Sequence, residues 1–242
     1  SVYIAARFFI NGKYVYSVGE LPPNEFAHGT QTNCVRIPDE LLFSREPITV
    51  SVMLWVDGSG GIKGIPFVSS YEDVNLLTQI QSFFLSKIYF AFAVFGVFAM
   101  ICFYSMYLKN KNEKEYRSLA LINICTALYL LPNYVNEIPG IDGSIGLLSF
   151  IKIFEGVGMI SVAYYIVCFI RDFLKHTEEK NIFYLRIAAY VVPSILILCI
   201  PSLVMYYKLR YVLYGICTLQ LPFILPPMFQ AAKKKEEDLM AI

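Results

Sequence analysis

Residues 90–108 read FAFAVFGVFAMICFYSMYL, an apolar run without a charged side chain. A helix needs about 20 mostly apolar residues to cross the hydrocarbon core of a bilayer. Together with the residues just before it, this run predicts a membrane span at 83–108. The chain of 242 residues is 57% hydrophobic and 16% charged, so its composition is not that of an ordinary soluble domain.

Four further apolar runs follow the first one, and the complete set of predicted spans is 83–108, 118–134, 147–170, 183–206 and 211–230. Residues 1–82 instead carry turn-forming residues and the only Trp. The predicted fold class is a multi-domain membrane protein, with a β-rich head before an α-helical transmembrane bundle. Its predicted parts are the head at 1–70, a helical linker at 71–86, a bundle of about five spans at 87–232 and a charged tail at 233–242.

Lys and Arg are distributed unevenly between the connections, and cytoplasmic loops are enriched in them. The segment 132–146 has none, and the turn predicted between the last two spans has Lys208 and Arg210. This predicts a protein of the inner or plasma membrane with the head outside the cytoplasm and the tail inside. The connections assigned to the cytoplasm carry Lys109, Lys111, Lys114, Arg117, Arg171, Lys175, Lys180, Arg186, Lys233, Lys234 and Lys235.

Polar residues inside spans are costly and often functional. Lys152 and Glu155 lie one turn apart in the third span, so they can pair on one face as an interfacial ion pair or as a ligand or gating contact. Asn123 and Gln220 are interpreted as interhelical hydrogen-bonding residues. Small residues predict close helix packing at Gly156, Gly158, Ser161 and Ala163, and prolines predict kinks at Pro193, Pro201, Pro222, Pro226 and Pro227.

The cysteines and histidines predict no metal, cofactor or catalytic site. Five of the six cysteines lie in apolar runs, and no CxxC or Cys/His spacing is present. His28 and His176 fall on opposite sides of the predicted membrane, so they cannot act together. A net charge of +1 gives no argument for nucleic acid. The sequence therefore predicts that this chain is not itself an enzyme.

The head begins with a predicted hairpin. Residues 1–10 and 14–18 have strand patterns, and Asn11-Gly12 between them is a strong two-residue turn signal. A third strand is predicted at 47–56. The segment DGSGGIKGIP at 57–66 resembles a phosphate-binding loop in its glycines, but such a loop needs a helix directly behind it. Pro66 follows instead, which favours a plain turn.

The segments NGKYVYSVGELPP (11–23), RIPDELL (36–42) and PITVSVMLWVDGSGGIKGIP (47–66) resemble the end of a galactose-binding-like jelly roll. With the first membrane segment, FAFAVFGVFAMICFYSMYLKNKNEKEYRSLAL (90–121), the chain resembles the bacterial seven-transmembrane receptors with diverse intracellular signalling modules. About five spans are visible where that family has seven, and the head is shorter than the roughly 100 residues of a complete sandwich. Truncation at both ends explains both departures, and a genuinely five-span protein is the alternative.

The resemblance implies a partial jelly-roll β-sandwich that binds a small-molecule or carbohydrate ligand outside the cell. It further implies signalling through the lipid-embedded helices to an output domain absent from this chain, and it leaves a homodimer open. Candidate ligand contacts are Trp55, for stacking on a sugar face, and the polar residues Arg7, His28 and Asp57, whereas Gly12, Gly61 and Gly64 would be structural.

Residues 71–84 have apolar side chains at helical spacing, which predicts a helix that continues into the first span. Such a helix would act as a mechanical coupler between head and membrane. Two other classes stay open. In a transporter or channel subunit, Lys152, Glu155, Asn123 and Gln220 would line a path, although the spans show no inverted repeat. In a membrane enzyme, a catalytic constellation is expected, and none is legible.

Overall fold

The computed structural model describes residues 5–19, 34–37, 40, 47–55, 69–134, 147–176 and 179–240. The chain divides into two compact units, Ser1–Phe90 with Asn133–Phe150 and Ala91–Pro132 with Ile151–Ile242. The fold is mostly helical, with a small three-stranded sheet near the N-terminus.

The sheet contains β1 (Ala5–Ile10), β2 (Lys13–Val18) and β3 (Val50–Trp55) in the order β2-β1-β3, with both pairs antiparallel. Asn11 and Gly12 both have positive φ, 49° and 79°, as a type I′ hairpin turn requires. The predicted hairpin is confirmed. The side-chain oxygen of Asn11 also accepts a hydrogen bond of 2.8 Å from the backbone nitrogen of Thr49, which ties the turn to the start of β3.

Alternation along the strands gives the sheet one apolar face. Ala6 and Val18 are buried, and Phe8, Tyr16 and Val52 pack against them. Val15 of β2 has no counterpart in β1, because Phe8 pairs with Tyr16 whereas Phe9 pairs with Tyr14. This extra residue makes a β-bulge, which strengthens the twist of the hairpin.

The helical part consists of eight α-helices among the described residues, with short non-α segments between some of them. The helices are α1 (Tyr71–Ser82), α2 (Ile88–Lys109), α3 (Lys114–Tyr134), α4 (Leu147–Ile151), α5 (Gly158–Phe173), α6 (Lys180–Leu198), α7 (Leu203–Thr218) and α8 (Leu225–Met240). π-Helical turns at Phe83–Lys87 and Lys152–Val157 join α1 to α2 and α4 to α5, and a 3₁₀ turn at Leu221–Phe223 lies between α7 and α8.

The fourth predicted span ends earlier than expected. Helix α6 stops at Leu198, and α7 begins after Ser202, whose Oγ accepts a hydrogen bond of 3.3 Å from the backbone nitrogen of Met205. The break contains Pro201, which cannot donate a backbone hydrogen bond. The predicted boundary at 206 is therefore wrong, and Lys208 and Arg210 lie inside α7 rather than in a turn.

Within the described residues, four helices are long and apolar enough to cross a membrane: Tyr71–Lys109, Leu148–Phe173, Lys180–Leu198 and Met205–Lys233. The chain is therefore consistent with an integral membrane protein. The predicted span at 118–134 is not among the four. Helix α3 is long enough, but its polar residues, including Asn123 and Asn133, lower its mean hydropathy.

Helix α3 runs antiparallel to α2. A Cβ atom built on Gly96 of α2 would lie 3.3 Å from the backbone oxygen of Asn123, and the rings of Phe103 and Tyr116 stack with centroids 6.5 Å apart. The two helices are joined by the short segment 110–113. They therefore form a helical hairpin.

Helix α3 also runs antiparallel to α5. Near its start, Ser118 Oγ donates a hydrogen bond of 2.7 Å to Oδ2 of Asp172. Near its end, a Cβ atom on Gly158 would lie 3.2 Å from the Cα atom of Tyr129. From residue 118 to 134, only Leu128 is exposed. Neighbouring helices thus cover part of α3, and most of its residues from 118 to 134 are half-buried.

Candidate functional site

Two of the four candidate ligand residues lie on the same face of the sheet. Arg7 of β1 pairs with Met53 of β3, and Ala5 pairs with Trp55, so Arg7 and Trp55 are diagonal neighbours on the face opposite the apolar cluster. Diagonal residues on one face lie about 7–8 Å apart, within reach of long and aromatic side chains. Arg7 is exposed and Trp55 is 42% exposed.

The other two candidates, His28 and Asp57, lie outside the described residues, as do Gly61 and Gly64. Gly12 occupies the left-handed position of the hairpin turn, where a side chain would be strained. The candidate ligand face therefore consists of Arg7 and Trp55, with Ser17 and Met53 as the strand partners of Arg7.

The residues Lys152 and Glu155, which were predicted to lie inside the membrane, make contacts with different helices. Lys152 Nζ donates hydrogen bonds of 2.8 Å and 3.0 Å to the backbone oxygens of Leu198 and Ile200. These oxygens belong to the last residue of α6 and to the break that follows, where main-chain acceptors lack helical donors. Lys152 therefore caps the C-terminal end of α6.

Glu155 faces α7 instead. Its Oε1 accepts a hydrogen bond of 3.3 Å from the Tyr214 hydroxyl, and the Arg210 guanidinium attracts its carboxylate. Arg210 itself lies over the ring of Tyr211, 5.0 Å from the centroid. Both Lys152 and Glu155 belong to the π-helical turn Lys152–Val157. A π-helix has a wider turn than an α-helix, so two residues that are three positions apart in sequence are separated by a larger angle around the helix axis. The side chains of Lys152 and Glu155 therefore reach different partners.

Gln220 connects the segment after α7 to α6. Its Nε2 donates a hydrogen bond of 2.8 Å to the backbone oxygen of Ala189, and the side chain is 1% exposed. This is an interhelical bond, as the sequence led us to expect. Asn123 behaves differently, because its Nδ2 donates to the backbone oxygen of Leu119 in the same helix, at 2.9 Å.

Arg186 is a buried residue that the sequence led us to misplace. It was expected among the cytoplasmic loop cations, but it lies inside α6 and is 1% exposed. Its Nη1 donates to Sγ of Cys168 at 2.9 Å, and its guanidinium lies over the rings of Tyr164 and Phe183, at 4.9 Å and 5.6 Å. The missed signal is its helical spacing to Pro193, Ser194 and Ile197, which are the other buried residues of α6.

The predicted close packing of the third span is confirmed at its two glycines. A Cβ atom on Gly156 would lie 2.8 Å from Cγ2 of Ile197 and 3.4 Å from the ring of Tyr206. Such distances leave no room for a side chain. The π-helical turn that carries Lys152 and Glu155 is therefore pressed directly against α6 and α7.

These contacts define the second candidate site, which we name the polar cluster: Lys152, Glu155, Arg210 and Tyr214. From the π-helical turn, Lys152 reaches the end of α6 and Glu155 reaches α7, whereas Gln220 bonds separately to the backbone of α6. Each polar group inside a bilayer requires such a partner.

Comparison of the chain with protein-family models, with curated proteins and with solved structures finds no match.

Proposed function

We propose that this chain is the sensing and membrane-embedded part of a receptor. The head binds a small molecule, of carbohydrate type, outside the cytoplasm, and the helices pass the event to a cytoplasmic output domain that is not in this chain. The supporting observation is one uninterrupted helix, Tyr71–Lys109, which starts after the sheet in the sequence and contains the most apolar segment of the chain. A helix that crosses the bilayer and extends beyond it can transmit a displacement.

The sheet face supports ligand binding. An aromatic ring and a guanidinium on one exposed face match the two contacts that a sugar uses, ring stacking and hydrogen bonds to hydroxyl groups. In the jelly-roll interpretation, β1, β2 and β3 are strands of one of the two sheets. The opposite face of the sheet, with Ala6 and Val18 buried, is the core face.

The packing of α3 supports five spans rather than four. Helix α3 lies antiparallel to both α2 and α5, which are apolar enough to cross a bilayer. A helix shielded by protein does not need the hydropathy that lipid exposure demands. The proposed bundle therefore includes 114–134 as a partly shielded span.

The same contacts support the proposed orientation. The C-terminal end of α2 meets the start of α3 through Phe103 and Tyr116, and the start of α3 meets the C-terminal end of α5 through Ser118 and Asp172. The ends of α2 and α5 thus lie at one level. The segment after α2 carries Lys111 and Lys114, and the segment after α5 carries Lys175 and Lys180, as expected of cytoplasmic ends.

A π-helical turn within the long helix supports signal transmission. Residues Phe83–Lys87 form this turn, and the hydroxyl of Ser86 is buried without a hydrogen-bond partner in the described part of the chain. π-Helical turns are strained and occur often at functional positions. We assign this turn as the place where the helix changes its register when the head binds its ligand.

A transporter or channel is the weaker alternative. Lys152 and Gln220 would have to face a water-filled path, but both donate to backbone oxygens of neighbouring segments. Residues engaged in this way stabilise the bundle.

The experiment is a glycan-array measurement with the full chain in lipid nanodiscs. We expect saturable binding that is lost in Arg7→Ala and in Trp55→Ala. The matched control is Lys13→Ala, which removes an exposed cation paired with Ile10, on the other face of the sheet. Binding that survives both substitutions, or no binding to any glycan, overturns the carbohydrate assignment.

A further inference from the structure

The apolar segment Met205–Lys233 is interrupted near its middle. Helix α7 ends at Thr218, and α8 begins at Leu225, after the 3₁₀ turn Leu221–Phe223. Inside a bilayer, every backbone group that a helix break releases needs another partner. The oxygens of this break therefore require donors from elsewhere or a cation.

Prolines remove two of the donors that a regular helix would supply here. In an α-helix the oxygen of Thr218 would accept from the nitrogen of residue 222, and the oxygen of residue 222 from the nitrogen of residue 226, but Pro222 and Pro226 have no N–H. The backbone nitrogen of Phe223 donates instead to the oxygen of Gln220, at 3.2 Å. In the part of the chain that the structure describes, the oxygens of Thr218 and Pro222 thus have no backbone donor.

The side chain of Gln220 adds a third acceptor. Its Nε2 donates to the backbone oxygen of Ala189, which fixes the orientation of the amide because a carbonyl oxygen can only accept. Its Oε1 is then left without a hydrogen-bond partner among the described residues, although the residue is 1% exposed. Ala189 lies midway along α6, so Gln220 lies at the middle depth of this proposed span. A buried acceptor without a partner is costly.

The polar groups of the break are of one kind, because they are all acceptors. Residues 219–224 include no charged side chain, and the hydroxyl of Thr218 is engaged, since it donates to the backbone oxygen of Gly215. The C-terminal end of α7 adds the negative end of a helix dipole. Pro226 and Pro227 remove N–H groups from the first turn of α8. Oxygen acceptors without competing donors match a hard cation, and the lack of a carboxylate in 219–224 favours a single charge.

We infer that this break binds one Na⁺ ion through Oε1 of Gln220 and the backbone oxygens of Thr218 and Pro222. Discontinuous membrane helices hold such ions with unwound carbonyls and with the C-terminal ends of half-helices. Thr218 is exposed, which gives the ion a way in from the surface of the bundle. The inference requires that α6, α7 and α8 lie in a bilayer, and it is independent of the receptor proposal.

The experiment measures the binding of radioactive Na⁺ to the full chain in detergent, with the protein held on scintillation beads. Unlabelled NaCl and choline chloride are compared as competitors at equal total salt. Gln220→Leu removes the side-chain oxygen of the site. The matched control is Gln230→Leu, which removes an exposed glutamine from α8 in the same apolar segment. Thermal unfolding shows whether each variant is folded.

We expect saturable binding that NaCl displaces and choline chloride does not. Gln220→Leu should weaken the binding at least about ten-fold, the equivalent of one lost contact to a charged group. Gln230→Leu should bind as the unmodified protein does. Pro222→Ala should also weaken binding, because its new N–H can donate to the oxygen of Thr218. Gln220→Glu should bind more tightly, since it adds a negative charge beside the ion.

Three results would overturn the inference. Without saturable binding, water rather than an ion satisfies Oε1 of Gln220. Equal displacement by choline would mean general charge screening. Unchanged binding by a folded Gln220→Leu would place the ion elsewhere. If Gln220→Leu does not fold, Gln220→Glu decides instead, and an affinity equal to that of the unmodified protein contradicts the site.

Discussion

The side-chain amide of Gln220 donates a hydrogen bond of 2.8 Å to the backbone oxygen of Ala189, which is four residues before Pro193. In a regular α-helix that oxygen would accept from the backbone nitrogen of residue 193, and proline has no proton there. The next residue adds a second compensation, because Ser194 Oγ donates to the backbone oxygen of Tyr190 at 2.8 Å. A proline inside α6 is therefore accommodated by the side chain of Gln220, which lies 31 positions after Ala189 in sequence.

Gln220→Leu should destabilise the protein by about 0.5–1.5 kcal/mol, the usual range for one hydrogen bond. The loss should disappear when Pro193→Ala is introduced as well, because the backbone nitrogen of residue 193 then serves Ala189. The unfolding temperatures of the unmodified protein, the two single variants and the double variant are measured in detergent with a thiol-reactive dye. The dye reports unfolding because Cys168 is buried in the folded protein. Additive effects would show that Gln220 does not compensate for the proline.

Gly156→Ala should destabilise the bundle by about 1–3 kcal/mol, the typical cost of overpacking. Its new methyl group would meet Ile197 at 2.8 Å. The matched control is Gly215→Ala in α7, where a Cβ atom would meet nothing within 4 Å in the described part of the chain. That substitution should be neutral or gain about 0.5–1 kcal/mol from helix propensity. Equal unfolding temperatures for the two variants would contradict the close packing.

Lys152→Met should lower stability by about 1–3 kcal/mol, because it leaves the backbone oxygens of Leu198 and Ile200 without their charged donor. Lys208→Met provides the control, since Lys208 is an exposed lysine of α7. The same thermal assay compares them. If the two methionine variants melted together, the capping of α6 by Lys152 would have no energetic importance.

Cys199 offers a native test of orientation. It is exposed and lies in the break between α6 and α7. A membrane-impermeant maleimide should label it in intact cells, as peptide mapping by mass spectrometry can show. In a Cys199→Ser background, a Lys175→Cys variant should be labelled only after the membrane is permeabilised. The reverse pattern would invert the topology and remove the proposed external head.

The sequence predicts local structure well where short-range chemistry decides it. Asn11 and Gly12 specify the hairpin because both must adopt positive φ, and few other residues do so. The apolar run at 90–108 specifies a helix that is long and apolar enough to cross a membrane. The close packing of Gly156 against another helix could also be predicted from the sequence, because a cluster of small residues in a predicted span indicates such contact.

Partners between helices were harder to predict. Lys152 and Glu155 are three residues apart, and α-helical spacing favours a pair, but the π-helical turn separates their directions. Arg186 was grouped with the loop cations because counting Lys and Arg residues gives no information on whether a given side chain is exposed. In the structure, Arg186 is buried against aromatic rings. Such contacts depend on tertiary packing.

In the proposed five-span bundle, α3 is the least apolar span, so we expect it to have little tendency to enter lipid alone during synthesis. The short connection at 110–113 brings it directly behind α2, and we expect the two to leave the translocon together as a pair. In a nascent chain that ends after residue 134, α3 would lack its contacts with α5, including the hydrogen bond between Ser118 and Asp172, because α5 has not yet been made. The five-span proposal therefore implies that correct assembly depends on the order in which the segments emerge from the ribosome.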